Sequence, residues 1–265
     1  MLDTRLTRTS TITPDHLGQF RAALASLAGQ DRLLVDSAAI DAFVARSGDT
    51  YLWHTDPGAT WREAPLLRAR MEEVGIPRQA RLAHGALGLI HALRVASLQQ
   101  PERPILGVES IRYLAPVFDG AIITASIEPD GAFAVSTDQL EPDTAITGHI
   151  LYGEVGAEWD AARFSSRAEQ QLFSLEEAIG AISALVGLSV QAAGGRVLYM
   201  GQDLRLQGLL STGDELAVQA EIVDRQPGKR LGERTTEAVR ASHSDGEPIA
   251  AGESIFLYLE LAGLA

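Results

Sequence analysis

Gly88-Leu89-Ile90-His91-Ala92-Leu93-Arg94-Val95-Ala96-Ser97 and Gly180-Ala181-Ile182-Ser183-Ala184-Leu185-Val186-Gly187-Leu188-Ser189 are two passages of one chain. They are identical at 5 of 10 positions under an offset of 92 (180 − 88). The first lies in an apolar run from Gly85 to about Leu98. There Leu87, Ile90, Leu93 and Leu98 share one helical face, while Ala86, Leu89, Ala92 and Ala96 leave the other nearly without polar surface, so the helix is expected to be buried on most sides. Downstream, Arg112 and Gly120 stand 8 residues apart, as do Arg205 and Gly213 at an offset of 93, so the strand-turn-strand Ile111 to Ile127 recurs as Leu204 to Ala220. One helix followed by antiparallel strands, written twice, predicts an α+β chain of two fused modules.

Strands are expected at Val108 to Tyr113, Ile122 to Ile127, Phe133 to Thr137 and Ile146 to Val155, where β-branched residues alternate between Pro, Gly and Asp turns. Upstream of the first buried helix, Leu33 to Val35 reads as a short strand. Asp36-Ser37 caps a helix from Ala38 to about Arg46, and Ala64 to Val74 forms another, closed by Gly75-Ile76-Pro77. Thr13-Pro14-Asp15 opens a helix over residues 14 to 28, read as an appended element. The division expected is therefore 1–30 as an N-terminal helical extension, 31–157 as a first module, 158–174 as a connector and 175–265 as a second module.

With 265 residues and 46% hydrophobic content, the chain can bury an ordinary core. It has no cysteine, which removes disulfides, thiolate metal sites and a cysteine nucleophile. The net charge of −13, from 22 basic and 35 acidic residues, repels nucleic acid and anionic membrane surfaces. Met1 to Thr13 lacks the apolar run of a secretory leader, and nowhere do 18 apolar residues follow one another, so a cytoplasmic protein without a membrane partner is expected.

Chemistry concentrates in Ser47-Gly48-Asp49-Thr50-Tyr51-Leu52-Trp53-His54, where a carboxylate and an imidazole lie 5 residues apart across a turn that can bring them to one point. Such a pair can hold a water and pass a proton to or from the carbon next to an activated carbonyl. Leu82-Ala83-His84-Gly85 leads directly into the buried helix. There the free N–H groups and positive dipole end can polarise a carbonyl, and Gly85 lets its oxygen approach.

Ser47-Gly48-Asp49, His54-Thr55-Asp56-Pro57, Ala83-His84-Gly85 and Arg112-Tyr113-Leu114-Ala115-Pro116-Val117-Phe118-Asp119-Gly120 together resemble the (R)-specific enoyl-CoA hydratases, or MaoC-like dehydratases, over about residues 32 to 128. The resemblance implies a hot-dog fold, a long helix wrapped by an antiparallel sheet, here as a double hot-dog. It also implies reversible addition of water to an acyl thioester on coenzyme A or acyl carrier protein, with no cofactor and no metal. It makes Asp49 and His54 the catalytic pair and Gly85 the oxyanion donor. Tyr51-Leu52 stands where the family usually carries Asn-Pro, and the spacing from His54 to His84 is longer than the family's. The surplus falls in the arginine-bearing stretch Thr60 to Arg78, a candidate lid or carrier-protein surface. The second module has Glu176-Glu177-Ala178 in place of Ala83-His84-Gly85, so it is expected to be silent.

Ser47, Tyr51, His84, Arg78 and Arg81 are the candidate substrate-binding residues. The last two, with Arg62, Arg68 and Arg70, are read either as a solvated face or as contacts to a coenzyme phosphate or acidic carrier. His84 is expected to be a hydrogen-bonding residue, His91 a satisfied core histidine, and His16, His149 and His243 show no ligand spacing. Competing functions are a hot-dog thioesterase, in which the acid activates water towards the carbonyl, and a non-catalytic acyl-binding partner of a synthase. A homodimer is compatible with either architecture.

Overall fold

Thr13 and Asp36 open the first two helices of the chain in the same way, each side chain accepting a backbone N–H three residues on, and each follows directly from a strand. This duplication runs through the whole computed structural model, which describes residues 5–27, 30–141, 143–153, 161–192, 196–227 and 232–259. In chain order these form β1 (Arg5–Thr11), α1 (Pro14–Ser26), β2 (Arg32–Val35), α2 (Ser37–Ser47), α3 (Leu52–Thr55), α4 (Ala59–Glu63), α5 (Pro65–Val74) and α6 (Gly85–Gln99). There follow β3 (Ile105–Tyr113), β4 (Ala121–Ile127), β5 (Ala132–Thr137), β6 (Thr144–Tyr152), α7 (Ala161–Ala192), β7 (Arg196–Leu206), β8 (Glu215–Pro227), β9 (Glu233–His243) and β10 (Pro248–Leu259).

The ten strands make one antiparallel sheet in the order β1-β8-β9-β10-β7-β3-β6-β5-β4-β2. Read outwards from the β7–β3 seam, each half runs first, fourth, third and second strand after its long helix, and ends on the strand that precedes a short capped helix. On one side that outer strand is β2; on the other it is β1. The backbone agrees at the turn: Gly120 N–H donates to Val35 O and Gly213 N–H to Ile12 O, both at 2.8 Å, and both glycines hold positive φ (90° and 98°) that favours glycine. Val35 and Ile12 are equally buried, and 23 residues separate Phe43 on α2 from Phe20 on α1, as they separate Val35 from Ile12 (35 − 12).

Two expected boundaries change. The segment 1–30 is not an appended helix, because β1 completes the second module's sheet through pairing from Arg5↔Glu221 to Thr11↔Glu215, an edge that would otherwise be bare. The first module is thus inserted between the opening β–α unit of the second module and the rest of it. The connector 158–174 is also revised: residues 158–160, like the expected strand end at Glu154 and Val155, lie outside the described residues, and α7 already begins at Ala161. Its small and charged residues mix good helix formers with an apolar face that reaches the core at Leu172 and Phe173.

Helices α6 and α7 lie against the same face of the sheet and share a single core with residues such as Leu89, Leu93, Ile123, Val135, Ile150, Leu175, Ile179, Val218 and Val239. A second, smaller core gathers Trp53, Ala59, Leu67, Met71, Ile76, Leu82 and Phe118, and it is what folds the 60–78 insertion down over the first module. Among the described residues no helix is long and apolar enough to cross a membrane.

Candidate active site

Helix α2 ends because Gly48 takes a left-handed conformation (φ 68°), its N–H closing on Val44 O at 2.8 Å. Ser47 fixes the turn that follows: its hydroxyl donates to Phe43 O at 2.8 Å and accepts the Asp49 N–H at 3.2 Å. Asp49, only 1% exposed, then turns inward. Its Oδ1 accepts the Tyr51 N–H at 2.9 Å and its Oδ2 the Nε2–H of His84 at 2.5 Å. The single turn of α3 brings His54 back to the same point, with its ring 4.6 Å from that of His84. His54 Nδ1–H donates to Leu82 O at 2.7 Å, which leaves the lone pair of Nε2 free for a substrate.

The two groups are held in opposite charge states. Burial pushes the Asp49 carboxyl up, but the field and hydrogen bond of His84, with His54 and the Tyr51 amide, outweigh it and bring the group down to about 2. Burial, and then the field of His84, push His54 down to about 4 against the opposing influence of Asp49 and the Leu82 carbonyl. At neutral pH the pair is therefore an ionised carboxylate beside a neutral imidazole.

Helix α6 starts at this pair. His84 is its N-cap, its Nδ1 accepting the Ala86 N–H at 3.3 Å. The first turn leaves the Gly85 N–H without an intrahelical acceptor and at the positive end of the dipole. Gly85 is also where the Tyr113 ring lies, and a β-carbon there would stand 2.7 Å from two ring carbons. Asp49, His54, His84 and Gly85 line one cavity of about 330 Å³, whose other walls are largely apolar: Leu87 and Gly88 of α6, Leu114 to Val117, and Leu67 of the insertion, with Ser183 of α7 a polar exception. Across the seam the second module supplies Tyr199, Phe256 and Leu257. Tyr113, Tyr199 and Phe256 stack in sequence, with ring centres 4.8 and 4.7 Å apart.

Tyr51 is buried in the same wall, edge-on to Trp53 and His54. Ser47 acts on the turn and faces away from this cavity. Arg81 is 6% exposed and committed to the protein: Nη1 donates to Asp41 at 2.5 Å and to His54 O at 3.2 Å, and Nη2 to Ser37 O at 2.8 Å. It ties α2 to the turn that carries His54 rather than serving as a phosphate contact, because its guanidinium is already surrounded by acceptors. Arg78 is exposed, stacked on Trp61 at 4.8 Å and outside the cavity wall. Arg62 pairs with Asp56, and Arg70 with Glu73 and Glu141 O. His91 Nε2 bonds Asp31 O at 2.9 Å, in the buried helix. Asp49, His54 and His84 together offer donor atoms within 4.8 Å of one another, the spacing a cation needs, although Asp49 and His84 already use one each on their mutual hydrogen bond.

Not legible in the sequence was how the second module grips the turn that carries Asp49. Arg46, one residue before Ser47, donates from Nε to Glu177 at 2.5 Å and from Nη1 to Glu176 at 3.1 Å; Arg94 of α6 holds the same Glu176 at 2.7 and 2.8 Å. Arg8 of β1 donates to Gly48 O at 3.3 Å. The available signal was the pair of glutamates inside an otherwise apolar helix, which only buried partners can explain. The two modules differ at the start of the long helix. Glu176 to Ala178 stand in place of Ala83 to Gly85, and α7 begins 15 residues before the first of them (176 − 161), so their N–H groups lie inside a continuous helix and no dipole end is presented.

No protein-family model and no curated protein matches the sequence. A MaoC-domain protein, described as a dehydratase, from Chloroflexus aurantiacus J-10-fl superposes with a TM-score of 0.54 at 9% identity, covering 97% of each chain. The fold is a double hot-dog. Looser superpositions reach GphF dehydratase 1, at TM-score 0.48 and 15% identity over 68% of this chain and 86% of that one. An acyl-CoA thioesterase II, TesB2, from Mycobacterium marinum superposes at 0.46 and 11% identity over 68% and 90%. These likenesses concern the fold and carry no argument about chemistry.

Proposed function

We propose that the protein is a hydro-lyase that interconverts 3-hydroxyacyl and trans-2-enoyl thioesters, on coenzyme A or acyl carrier protein, in the first module alone. The observation that supports this reading is a neutral imidazole with a free Nε2 beside an ionised carboxylate, both facing an unbonded helix-terminal N–H in an apolar cavity.

In the dehydrating direction His54 Nε2 takes the proton from C2, and the electron pair moves towards the thioester carbonyl. The Gly85 N–H donates to that oxygen as charge builds on it, a contribution of about 3 kcal/mol for one well-placed donor. The C3–O bond then breaks, the electron pair forms the C2=C3 double bond, and the departing hydroxyl takes the proton back from His54 and leaves as water. Asp49 accepts a hydrogen bond from that hydroxyl and stabilises the transient imidazolium. Hydration is the reverse, with water held by Asp49 and deprotonated by His54. Because one imidazole handles both proton positions, hydrogen and hydroxyl are exchanged on the same face of the substrate. No redox step or co-reactant is needed.

Incubating the full chain with trans-2-enoyl thioesters on both carriers, while following enoyl absorbance and free thiol, tests the reading. Loss of the enoyl signal without thiol release is the expected result. Thiol release would make the protein a thioesterase, and binding without either change would make it an acyl-binding subunit.

A further inference from the structure

The turn that carries Asp49 is held from outside its own module. Gly48 O is one of the last carbonyls of α2, which find no donor within the helix. It accepts instead from Nη1 of Arg8 at 3.3 Å. Arg8 lies on β1, the outer strand of the second module, in register with Val218 of β8. A cation at this point also complements the negative end of the α2 dipole.

The contact bears directly on Asp49, because Gly48 C=O and Asp49 N–H belong to one rigid peptide plane. Arg8 holds the oxygen of that plane, and the Ser47 hydroxyl accepts its N–H at 3.2 Å. The Arg8 guanidinium also fills the space over the Gly48 α-carbon, where a β-carbon would collide with Nη2 and stand 2.9 Å from Cζ. Residue 48 is therefore glycine for two reasons, its φ of 68° and the arginine above it. The duplicated fold does not impose an arginine here. Thr9 pairs with Ala217 where Arg32 pairs with Thr124, so the position on β2 that matches Arg8 is Asp31 (32 − 1 for 9 − 1), which is exposed and offers no side-chain N–H. A second tie runs in the same direction, from Glu176 and Glu177 of α7 to Arg46 in the last turn of α2.

We infer that Arg8 is a positioning residue: by fixing the Gly48–Asp49 peptide it sets the aim of the Asp49 carboxylate at His84 and into the cavity. The second module then takes part in the reaction by placing the acid, without touching the substrate through this residue. Its effect on rate rests on the dehydratase reading; its effect on where Asp49 points does not.

The experiment compares the wild-type full chain with Arg8→Met and Arg8→Lys in three measurements: kcat and KM for a trans-2-enoyl-CoA, the number of sites for a saturated acyl-CoA by calorimetry, and the downfield proton resonance of the His84 Nε2–H bonded to Asp49, assigned by its absence in His84→Ala. Arg8→Met should lower kcat per site roughly tenfold, since a misplacement of about 1 Å can cost a hundredfold, with KM and site number little changed, and should shift the resonance. Arg8→Lys, which restores a cation and an N–H donor but not the guanidinium plane over Gly48, should recover part of both. A residue needed only for folding would reduce the number of sites and leave kcat per site and the resonance as they are. That result would overturn the proposal, as would a kcat within about twofold of wild type with an unmoved resonance. Should Arg8→Met fail to fold, Arg8→Lys decides by the same two readings. A wild-type protein that turns over no enoyl-CoA would remove the dehydratase reading, and the resonance would still decide whether Arg8 places Asp49.

Discussion

Replacing His84 with Ala removes the hydrogen bond to Asp49 Oδ2 and leaves a carboxylate that is 1% exposed with the Tyr51 N–H as its remaining backbone donor. The size of the effect follows from the depressed pKa of Asp49. Lowering it from 3.8 to about 2 corresponds to ~2 kcal/mol of extra stability for the ionised form. The pKa is lower in the folded state, so this stability is fully present above pH 3.8 and is lost as pH falls through about 2. At pH 7, His84→Ala should therefore cost about 2 kcal/mol for this pair, plus whatever packing against Phe43 is lost. A double-mutant cycle with Asp49→Ala, read by urea unfolding, separates the two, because the packing loss appears in both backgrounds and cancels. The coupling should be about 2 kcal/mol at pH 7 and should shrink towards pH 2. Additivity within about 0.5 kcal/mol at pH 7 would refute the view that His84 holds Asp49 ionised.

Three further outcomes follow from the same geometry. His54 must be neutral to accept a proton, so kcat/KM should fall on the acid side near pH 4 and stay level from there to neutrality, whereas a limb between 6 and 7 would contradict the burial-depressed imidazole; stability should likewise decline as pH drops from 6.5 towards 4. Gly85→Ala drives a methyl group into the Tyr113 ring and displaces the N–H donor, so kcat should drop by roughly a hundredfold with little change in KM, and a rate within twofold of wild type would remove Gly85 from the oxyanion site. Arg46→Met leaves Glu176 and Glu177 short of a buried cation and should cost about 3–5 kcal/mol in unfolding free energy; Arg46→Lys should restore part of that stability but not the two-carboxylate grip on the catalytic turn, which kcat would show.

The long helix, the antiparallel strands and the duplication were legible in the sequence because apolar periodicity and glycine-marked turns are local signals: α6 and β4 fall within two residues of where the pattern puts them. The placement of β1 was not, since nothing in Arg5 to Thr11 says which edge it joins; that is decided by a strand whose paired residues lie 204 (215 − 11) to 216 (221 − 5) residues away. Asp49, His54 and Gly85 could be chosen from residue type and turn spacing. The fate of Arg81 could not, because a buried arginine and a free one look alike until Asp41, Ser37 and the His54 carbonyl are brought around it.

In the proposed reaction a neutral His54, oriented by the Leu82 carbonyl and set beside Asp49, moves the proton in a reversible hydration. Steady-state hydration of a trans-2-enoyl-CoA by His54→Ala, in protein shown by circular dichroism to be folded, tests it most directly. A loss of at least roughly a hundredfold in kcat is expected for removal of a general base. A rate within a few-fold of the wild-type protein would contradict the account.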